Sequence, residues 1–303
     1  MPELPEVETC RTIVEKHLVG KSIRDVTVRL PKLLRYSEIP SLETLLGHVV
    51  TGARRRAKIL IIDFSDGLSL MIHFKLAGQL SVHLPDGNRV TAGHPVPKPD
   101  GPYPHKSTHI ELHMHDGTVV YISDIRQFGW IRLMPTGSVE DVIVGFRFGP
   151  EAVGGERIAL TQLKQALSRR SIPVKLAILD QKLVAGVGNI YADEALHVAR
   201  IHPAIKSNAL SSQAIRRLWE GIAWAIEQGI AQGGATVVHQ KAYPVEGFPA
   251  VHGREGEPCS TCGAAIEKIV VGSRGTYFCP RCQRLPRRAS GQGRTMVESP
   301  SIH

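Results

Sequence analysis

The stretch Ile59–Phe74, ILIIDFSDGLSLMIHF, holds two short apolar runs on either side of a turn sequence. Short apolar runs with turn residues at their ends are typical of β-strands. Between them, Asp66-Gly67 has the composition of a tight hairpin turn, because glycine readily adopts the positive φ angle that such turns require. The stretch therefore predicts an antiparallel β-hairpin.

The same pattern extends in both directions from this hairpin. Further apolar runs are Ile23–Leu30 and Val119–Ile122, and further turn sequences are Asp86-Gly87 and Asp116-Gly117. Ahead of them, apolar residues recur at helical spacing from Glu3 to about Leu18, and Gly20 is a natural helix stop. We predict that residues 1–135 form an antiparallel β-sandwich domain with a leading helix.

The periodicity changes in the second half of the chain. Residues 136–159 include Gly149–Glu156 (GPEAVGGE), which predicts a linker. Residues 160–253 carry helical spacing interrupted by glycine and proline, so we predict a helical domain. Residues 254–285 form a small cysteine-bearing unit, and the polar, basic residues 286–303 predict a disordered tail. The predicted fold class is α+β.

Charge points towards a polyanionic partner. The chain carries 37 Lys and Arg against 28 Asp and Glu, a formal net charge of +9, and such a surface favours phosphates because neutralising them releases condensed counterions. Charge alone leaves open a basic protein that binds no nucleic acid. No stretch approaches the roughly 18 apolar residues of a membrane span, and glutamates at positions 3, 6 and 8 are unlike a signal peptide. We expect no membrane contact and a cytoplasmic protein.

The cysteines predict a metal site. Cys259-x-x-Cys262 and Cys279-x-x-Cys282 are separated by sixteen residues, a spacing suited to four-cysteine zinc binding. Four thiolates leave no open coordination position, so we predict one structural Zn²⁺. Two disulfides are the alternative, although nothing else in the sequence indicates an oxidising compartment. Cys10 remains, and we expect a buried thiol there.

The N-terminus, Met1-Pro2-Glu3-Leu4-Pro5-Glu6, suggests nucleophilic chemistry. Removal of Met1 would leave the secondary amine of Pro2, and an α-amine with a pKa near 8 is about a tenth neutral at pH 7. Such an amine can attack a carbonyl-like carbon. Glu3 and Glu6 share one helix face, where they either move protons or only complement the helix dipole.

Several motifs together resemble one family. Pro2–Thr9 (PELPEVET) resembles the start of the formamidopyrimidine-DNA glycosylase family, bacterial enzymes that repair 8-oxoguanine. Leu4 favours this family over the sister endonuclease VIII branch, which usually has glycine there. The further matches, in chain order, are Arg54–Leu60 (RRRAKIL), Ala185–Leu196 (AGVGNIYADEAL) and Gly253–Cys259 (GREGEPC) continuing through Cys282. The resemblance implies that residues 160–253 are a helix–two-turn–helix DNA-binding domain and residues 254–285 a zinc finger.

The resemblance implies a bifunctional glycosylase and AP lyase of base excision repair without a redox cofactor. Its substrate would be double-stranded DNA that contains a damaged base or an abasic site. The base is flipped out of the stack, Pro2 attacks C1′ of the sugar, and Glu3 assists ring opening. The resulting iminium permits β- and then δ-elimination. Lys58 corresponds to the lysine that contacts phosphates beside the proline, so Pro2, Glu3, Glu6 and Lys58 are the predicted catalytic residues.

The resemblance also implies DNA contacts. Asn189 and Arg274 correspond to phosphate-binding residues of the helical domain and the finger, although Arg274 taken alone could equally be a solvated arginine. The void left by the flipped base would be filled by Leu76, Arg126 and Phe128. For the two apolar residues, Leu76 and Phe128, the alternative is ordinary packing within a sheet. Gln127 replaces an arginine that is usual in the family.

The sequence departs from the family between Gly234 and Gly253, where it is shorter than in typical 8-oxoguanine enzymes. In the family, that region includes the loop that caps flipped 8-oxoguanine. The lesion preference is therefore open between 8-oxoguanine or ring-opened purines, the oxidised pyrimidines of endonuclease VIII, and a bulkier adduct. The Pro- and Gly-rich stretch Ala92–Lys106 predicts an exposed loop of unassigned role. The sequence is also compatible with a non-catalytic DNA-binding paralogue and with a chain whose retained Met1 blocks Pro2. We expect a monomer at the bacterial nucleoid.

Overall fold

The computed structural model describes residues 2–98, 100–238 and 240–285, and the predicted tail 286–303 lies outside the described residues. The helices are α1 (Leu4–His17), α2 (Val139–Phe146), α3 (Leu160–Ser168), α4 (Val174–Leu179), α5 (Asn189–Val198) and α6 (Ser212–Ala231). The strands are β1 (Ile23–Val28), β2 (Val50–Arg56), β3 (Ile59–Phe64), β4 (Leu68–His73), β5 (Gly78–His83), β6 (Arg89–Gly93), β7 (Thr108–Met114), β8 (Val119–Asp124), β9 (Trp130–Pro135), β10 (Val237–Val238), β11 (Lys241–Ala242), β12 (Glu267–Val271) and β13 (Arg274–Phe278). The predicted α+β class is confirmed.

The N-terminal half is a sandwich of two antiparallel sheets, and α1 precedes it in the chain. One sheet has the order β2-β3-β4-β9 and the other β1-β7-β8-β5-β6. The predicted hairpin is present as β3–β4, in which Ile61 pairs with Met71. Asp66 and Gly67 in its turn have φ angles of 58° and 72°, which is the left-handed conformation that the Asp-Gly pair suits.

Alternation along the strands builds two separate apolar layers. Leu60 and Ile62 of β3 face the interior between the sheets, together with Cys10 of α1. Ile59 and Ile61 point to the opposite face and pack with Trp130 of β9. One strand thus serves both layers, because successive side chains of a strand point to opposite sides. The burial of Cys10 is as expected from its apolar neighbours.

The segment 136–159, predicted as a linker, begins with helix α2. Val139 and Ile143 of this helix are buried against the outer face of the β2-β3-β4-β9 sheet. The helix forms because its apolar residues, four positions apart, share one face. The glycines of Gly149–Glu156 indicated a linker, but the apolar pair Val139 and Ile143 ahead of them forms one face of a helix.

The helical half surrounds a second core. Helices α3 to α6 contribute buried residues such as Leu163, Ile178 and Leu218, and Leu4 of α1 packs into the same cluster. Helix α6 begins where the Ser211 hydroxyl accepts a hydrogen bond from the Ala214 N–H at 3.2 Å, a normal N-cap.

The β12–β13 hairpin lies in the cysteine unit and contacts α5. Glu194 of α5 is buried and accepts hydrogen bonds from the backbone N–H groups of Ala250, Val251 and His252 at 2.7–3.0 Å. These bonds tie the segment before the cysteine unit to the helical core. Within the described ranges, no helix is both long and apolar enough to cross a membrane.

Candidate active site

The first residues of the chain lie at the junction between the two halves. The backbone N–H of Leu4 donates to the carbonyl oxygen of Gly186 at 3.1 Å. Gly186 has a φ angle of +92°, and a Cβ atom there would lie 2.4 Å from Leu4 Cδ1, so only glycine permits this approach. Pro2 and Glu3 are consequently buried at the junction.

Glu3 occupies the N-terminus of helix α5. Its carboxylate accepts hydrogen bonds from the backbone N–H groups of Ile190 at 3.0 Å and Tyr191 at 3.5 Å. The unpaired N–H groups and the positive end of the helix dipole favour a negative charge at this place. Only 1% of Glu3 is exposed. A Cβ at Gly188 would lie 2.2 Å from the Glu3 carboxyl carbon, so the glycine makes room for the acid.

Glu6 lies one turn further along α1 and is also buried. Its carboxylate accepts hydrogen bonds from the Tyr191 hydroxyl at 2.7 Å, the Ala235 N–H at 2.8 Å and the Glu3 N–H at 2.8 Å. Burial raises the pKa of Glu6, and the nearby charge of Glu3 raises it further. Three donors on one carboxylate hold Glu6 in place beside Glu3.

Lys58 reaches the same junction from the turn between β2 and β3. Its ammonium group donates to the carbonyl oxygen of Val187 at 3.0 Å, and only 9% of the residue is exposed. Burial lowers the pKa of Lys58, and the charges of Glu3 and Glu6 oppose that shift. The structure therefore places Lys58 close to Glu3 and Glu6, whereas the preceding Arg55 and Arg56 pair with Glu151.

A cavity of about 650 Å³, which we call the Glu3 cleft, opens beside these residues. Its lining includes Glu3 and the predicted DNA-contacting residues Leu76, Arg126, Asn189 and Arg274. Residues that are far apart in the sequence thus converge on one opening between the two halves and the cysteine unit.

Phe128 lies in the loop between β8 and β9, two residues after Arg126, and is not among the residues that line the cleft. Its side chain is 51% exposed, and the guanidinium of Arg126 lies 5.2 Å from the centre of its ring. This exposure is unlike a residue that packs within a sheet. Leu76 reaches the cleft from the turn between β4 and β5.

Asn189 and Arg274 border the cleft on the other side. The Asn189 amide donates to the carbonyl oxygen of Gly275 at 3.0 Å. Arg274 is exposed at the start of β13, immediately after the Gly272-Ser273 turn of the hairpin. The hydrogen bond from Asn189 fixes the hairpin tip relative to the N-terminus of α5.

Sequence reasoning missed the buried ion pair that supports this hairpin. The ammonium of Lys175 lies 2.7 Å from an oxygen of Asp193, and both side chains are fully buried. Lys175 also donates to the Thr276 hydroxyl at 2.8 Å, while Asp193 contacts Nδ1 of His252 at 2.7 Å. The only available signal was a lysine within the otherwise apolar run Val174–Leu179.

The four cysteines form one cluster. The sulfur atoms of Cys259, Cys262, Cys279 and Cys282 all lie within 4.8 Å of one another. Four thiolates converging on one point suit tetrahedral Zn²⁺ and leave no position for a substrate. The cluster fits one structural zinc ion, and Val251, Ile266 and Tyr277 pack against it as a small core.

Comparisons with known proteins cover nearly the whole chain. Residues 1–131 match the family model of the formamidopyrimidine-DNA glycosylase N-terminal domain. Residues 148–241 match the H2TH domain of the same enzymes, and residues 256–285 match the zinc finger shared with isoleucyl-tRNA synthetase.

Individual relatives agree with the family models. The formamidopyrimidine-DNA glycosylase of Pelotomaculum thermopropionicum is 37% identical over 291 residues, which are 94% of this chain and 100% of the relative. That of Cytobacillus firmus is 35% identical over 294 residues, which are 93% and 100% of the two chains.

Solved structures show the same fold. A Lactococcus lactis Fpg variant in complex with DNA containing Fapy-dG has a TM-score of 0.80 at 33% identity, covering 94% of this chain and 100% of that chain. Lactococcus lactis Fpg with DNA containing an abasic site has a TM-score of 0.81 at 32% identity, covering 93% and 100%. The chain therefore belongs to the formamidopyrimidine-DNA glycosylase family, whose members are DNA glycosylases with AP-lyase activity.

Proposed function

We propose that this chain removes oxidised or ring-opened bases of the 8-oxoguanine and formamidopyrimidine type from double-stranded DNA and then cleaves the strand. The observation that carries the proposal is the burial of Pro2 and Glu3 at the junction of the two halves, beside Lys58. The names of the relatives support the reaction, and Lactococcus lactis Fpg has been solved with Fapy-dG and abasic-site DNA.

In the proposed reaction, the neutral amine of Pro2 attacks C1′ of the damaged nucleotide. The bond between C1′ and the base nitrogen breaks, and the base leaves with the bonding electron pair and takes up a proton from water. The Pro2 nitrogen, positively charged after the attack, passes its own proton to the Glu3 carboxylate. A proton delivered by Glu3 to the ring oxygen opens the sugar, and the nitrogen lone pair then forms the iminium with C1′. The positive charge of the iminium acidifies the C2′ protons, so that elimination expels the 3′ phosphate and then the 5′ phosphate.

The remaining predicted residues have proposed roles in holding the DNA. Lys58, Asn189 and Arg274 would contact phosphates around the damaged nucleotide, since they border the junction from three sides. Leu76, Arg126 and Phe128 would fill the void in the duplex, with the exposed Phe128 ring as the main wedge. Glu6 would hold Glu3 through its hydrogen bond to the Glu3 N–H.

Borohydride trapping tests the proposal. Protein shown by mass spectrometry to begin at Pro2 is incubated with end-labelled duplexes that carry 8-oxoguanine, 5-hydroxyuracil or an abasic site, in the presence of borohydride. We expect a covalent product that depends on borohydride and disappears when the Pro2 amine is blocked. Absence of the product on all three duplexes would contradict the lyase chemistry and favour a DNA-binding protein without catalysis.

Endonuclease VIII-like specificity is the second candidate. It is favoured by the short segment 235–252, whose described residues, 235–238 and 240–252, include the two-residue strands β10 and β11. Faster trapping with 5-hydroxyuracil than with 8-oxoguanine would support this candidate. We also propose that the protein acts as a monomer on the bacterial nucleoid, because its substrate is chromosomal DNA and the relatives named here are bacterial.

A further inference from the structure

A second cavity, of about 150 Å³, lies next to Glu6, and we call it the Glu6 pocket. Its walls are residues 91–95 at the end of β6 and residues 233–236 after α6, and the Glu6 carboxylate also lines it. A volume of about 150 Å³ is sufficient for one nucleobase. Enzymes that act on a base within a duplex need such a snug pocket for the flipped nucleotide.

Close backbone approaches fix the shape of the Glu6 pocket. Gly234 has a φ angle of +111°, and a Cβ there would lie 2.7 Å from Glu6 Cγ. On the opposite wall, Gly93 has a φ angle of +103°, and a Cβ there would lie 2.7 Å from the carbonyl oxygen of Gly78. Both walls therefore depend on glycine, and neither has room for a side chain at these points.

His94 lies at the boundary between the Glu6 pocket and the Glu3 cleft. It lines both cavities, whereas Glu3 lines only the cleft and Glu6 only the pocket. A nucleotide whose sugar lies beside Pro2 and Glu3 and whose base enters the Glu6 pocket would pass this imidazole.

The backbone around His94 is held by an unusual tether. Gln79 of β5 is fully buried, and its amide donates to the carbonyl oxygens of His94 at 2.7 Å and Pro97 at 2.8 Å. The Tyr103 hydroxyl donates to the side-chain oxygen of Gln79 at 2.5 Å. Because a buried amide is stable only when its polar atoms are paired, this tether holds the loop in one conformation.

The His94 ring is oriented by its own loop. Nδ1 lies 3.2 Å from the N–H of Val96 and 3.1 Å from the Val96 carbonyl oxygen. The backbone N–H of His94 donates to the carbonyl oxygen of Gly78 at 2.8 Å. The stretch Ala92–Lys106, predicted as an exposed loop, therefore begins at the end of β6, has Ala92 and Pro97 buried, and places the His94 imidazole at both cavities.

We propose that His94 contacts the flipped base and determines which lesions are excised, a role that rests on the proposed function above. The segment 235–252 is short in this chain, and the tethered loop 92–97 borders the same space. An imidazole N–H can donate to the additional carbonyl oxygen of 8-oxoguanine or to the formamide oxygen of a ring-opened purine. The expected ligand class is therefore a purine carrying such an oxygen.

Three variants test the role of His94 under single-turnover conditions. His94→Ala removes the imidazole, His94→Gln keeps a hydrogen-bond donor, and Lys98→Ala is the matched control at an exposed position of the same loop. Excision is measured on 8-oxoguanine and 5-hydroxyuracil duplexes. Strand cleavage is measured on a preformed abasic duplex, which has no base to contact.

We expect His94→Ala to slow 8-oxoguanine excision about 10-fold or more, the effect of losing one hydrogen bond in a desolvated site. Cleavage of the abasic duplex should change less than about two-fold on the same grounds, so the ratio of the two rates falls. His94→Gln should recover part of the loss, and Lys98→Ala should match the wild type.

Each remaining outcome has a distinct meaning. Equal rates for His94→Ala and wild type on both lesions would overturn the inference and leave the proposed function intact. Equal losses on lesion and abasic DNA would also overturn it, since they would show that His94 only supports the fold. If the wild type neither excises a lesion nor forms the borohydride product, the proposed function itself fails.

Discussion

The carboxylate of Glu3 accepts a hydrogen bond from the backbone N–H of Ile190 at 3.0 Å, although the two residues are 187 positions apart in the chain. This contact joins the start of the chain to the first turn of α5, which belongs to the other half of the molecule. The proposed reaction centre therefore depends on how the two halves are docked. A change at the N-terminus of α5 should act on catalysis through Glu3.

Gly188→Ala tests this dependence. The new Cβ would lie 2.2 Å from the Glu3 carboxyl carbon, so the acid must move. The φ angle of Gly188 is −130°, which alanine tolerates, and the effect should therefore come from the contact. A displacement of a catalytic group by about 1 Å costs roughly 100-fold in rate. We expect a loss of that order in borohydride trapping on abasic DNA.

Gly145→Ala is the control for this substitution, since a Cβ at that position of α2 meets no atom within 4 Å. Both variants should retain the wild-type circular dichroism spectrum. Wild-type trapping by Gly188→Ala would show that the position of Glu3 does not limit the reaction.

We expect the affinity for DNA to depend on alkaline pH through Lys58. Burial lowers its pKa from the ordinary 10.5, so the ammonium loses its proton at a lower pH than an exposed lysine does. If Lys58 holds a phosphate, affinity for DNA falls as pH rises through that lowered pKa. Arginine stays charged throughout, so Lys58→Arg should keep its affinity over the alkaline range below pH 10.5 in which the wild type loses it.

The same lowered pKa of Lys58 should raise the free energy of unfolding as pH increases, whereas it lowers the affinity for DNA. The folded protein binds the Lys58 proton less tightly than the unfolded chain, so the charged lysine destabilises the fold at neutral pH. That penalty fades as pH rises from the lowered pKa towards 10.5. Urea unfolding of wild type and Lys58→Met across this range measures the difference. One result would contradict a buried Lys58 that binds DNA. In it, the free energies of unfolding of wild type and Lys58→Met change in parallel with pH, and Lys58→Arg loses DNA affinity at alkaline pH as the wild type does.

Zinc should act on DNA binding through the β12–β13 hairpin. The metal holds the hairpin that carries Arg274, so its removal by a chelator should lower affinity for an abasic-analogue duplex. Arg274→Ala should reduce the slope of log affinity against log salt by about 1, the share of a single phosphate contact. A zinc content of one per chain by elemental analysis is expected. An unchanged salt slope would place Arg274 away from the DNA.

Local sequence patterns predicted much of this structure. The β3–β4 hairpin followed from two apolar runs around Asp66-Gly67, and the zinc cluster followed from cysteine spacing. Both signals are local, because a turn and a Cys-x-x-Cys pair depend on residues a few positions apart. Glu3 and Lys58 needed the family resemblance, since spacing alone could not distinguish a buried lysine close to Glu3 from one more surface cation.

Sequence patterns did not predict two further features, because the residues that stabilise each of them are far apart in the chain. Gln79 is an ordinary polar residue in a strand until Tyr103 and the loop 92–97 fold over it. Likewise, Lys175 is stable in the core only because Asp193 lies opposite it. The partner that makes a buried polar group acceptable comes from a distant part of the chain, and a single sequence does not reveal it.

The pair Lys175 and Asp193 yields the last prediction. Lys175→Met leaves a buried carboxylate without its cation, which should lower the free energy of unfolding by about 3–5 kcal/mol. Lys175→Met/Asp193→Asn removes the stranded charge while an amide oxygen still accepts the Tyr277 N–H, so part of the loss should return. Arg170→Met breaks a partly exposed ion pair with Asp180 and should cost less than about 1 kcal/mol.

Because Lys175 also holds Thr276, Lys175→Met should displace Arg274, and adding Arg274→Ala should then lower DNA affinity little further. Additive losses of affinity would show that the buried pair stabilises the fold without positioning the hairpin on DNA.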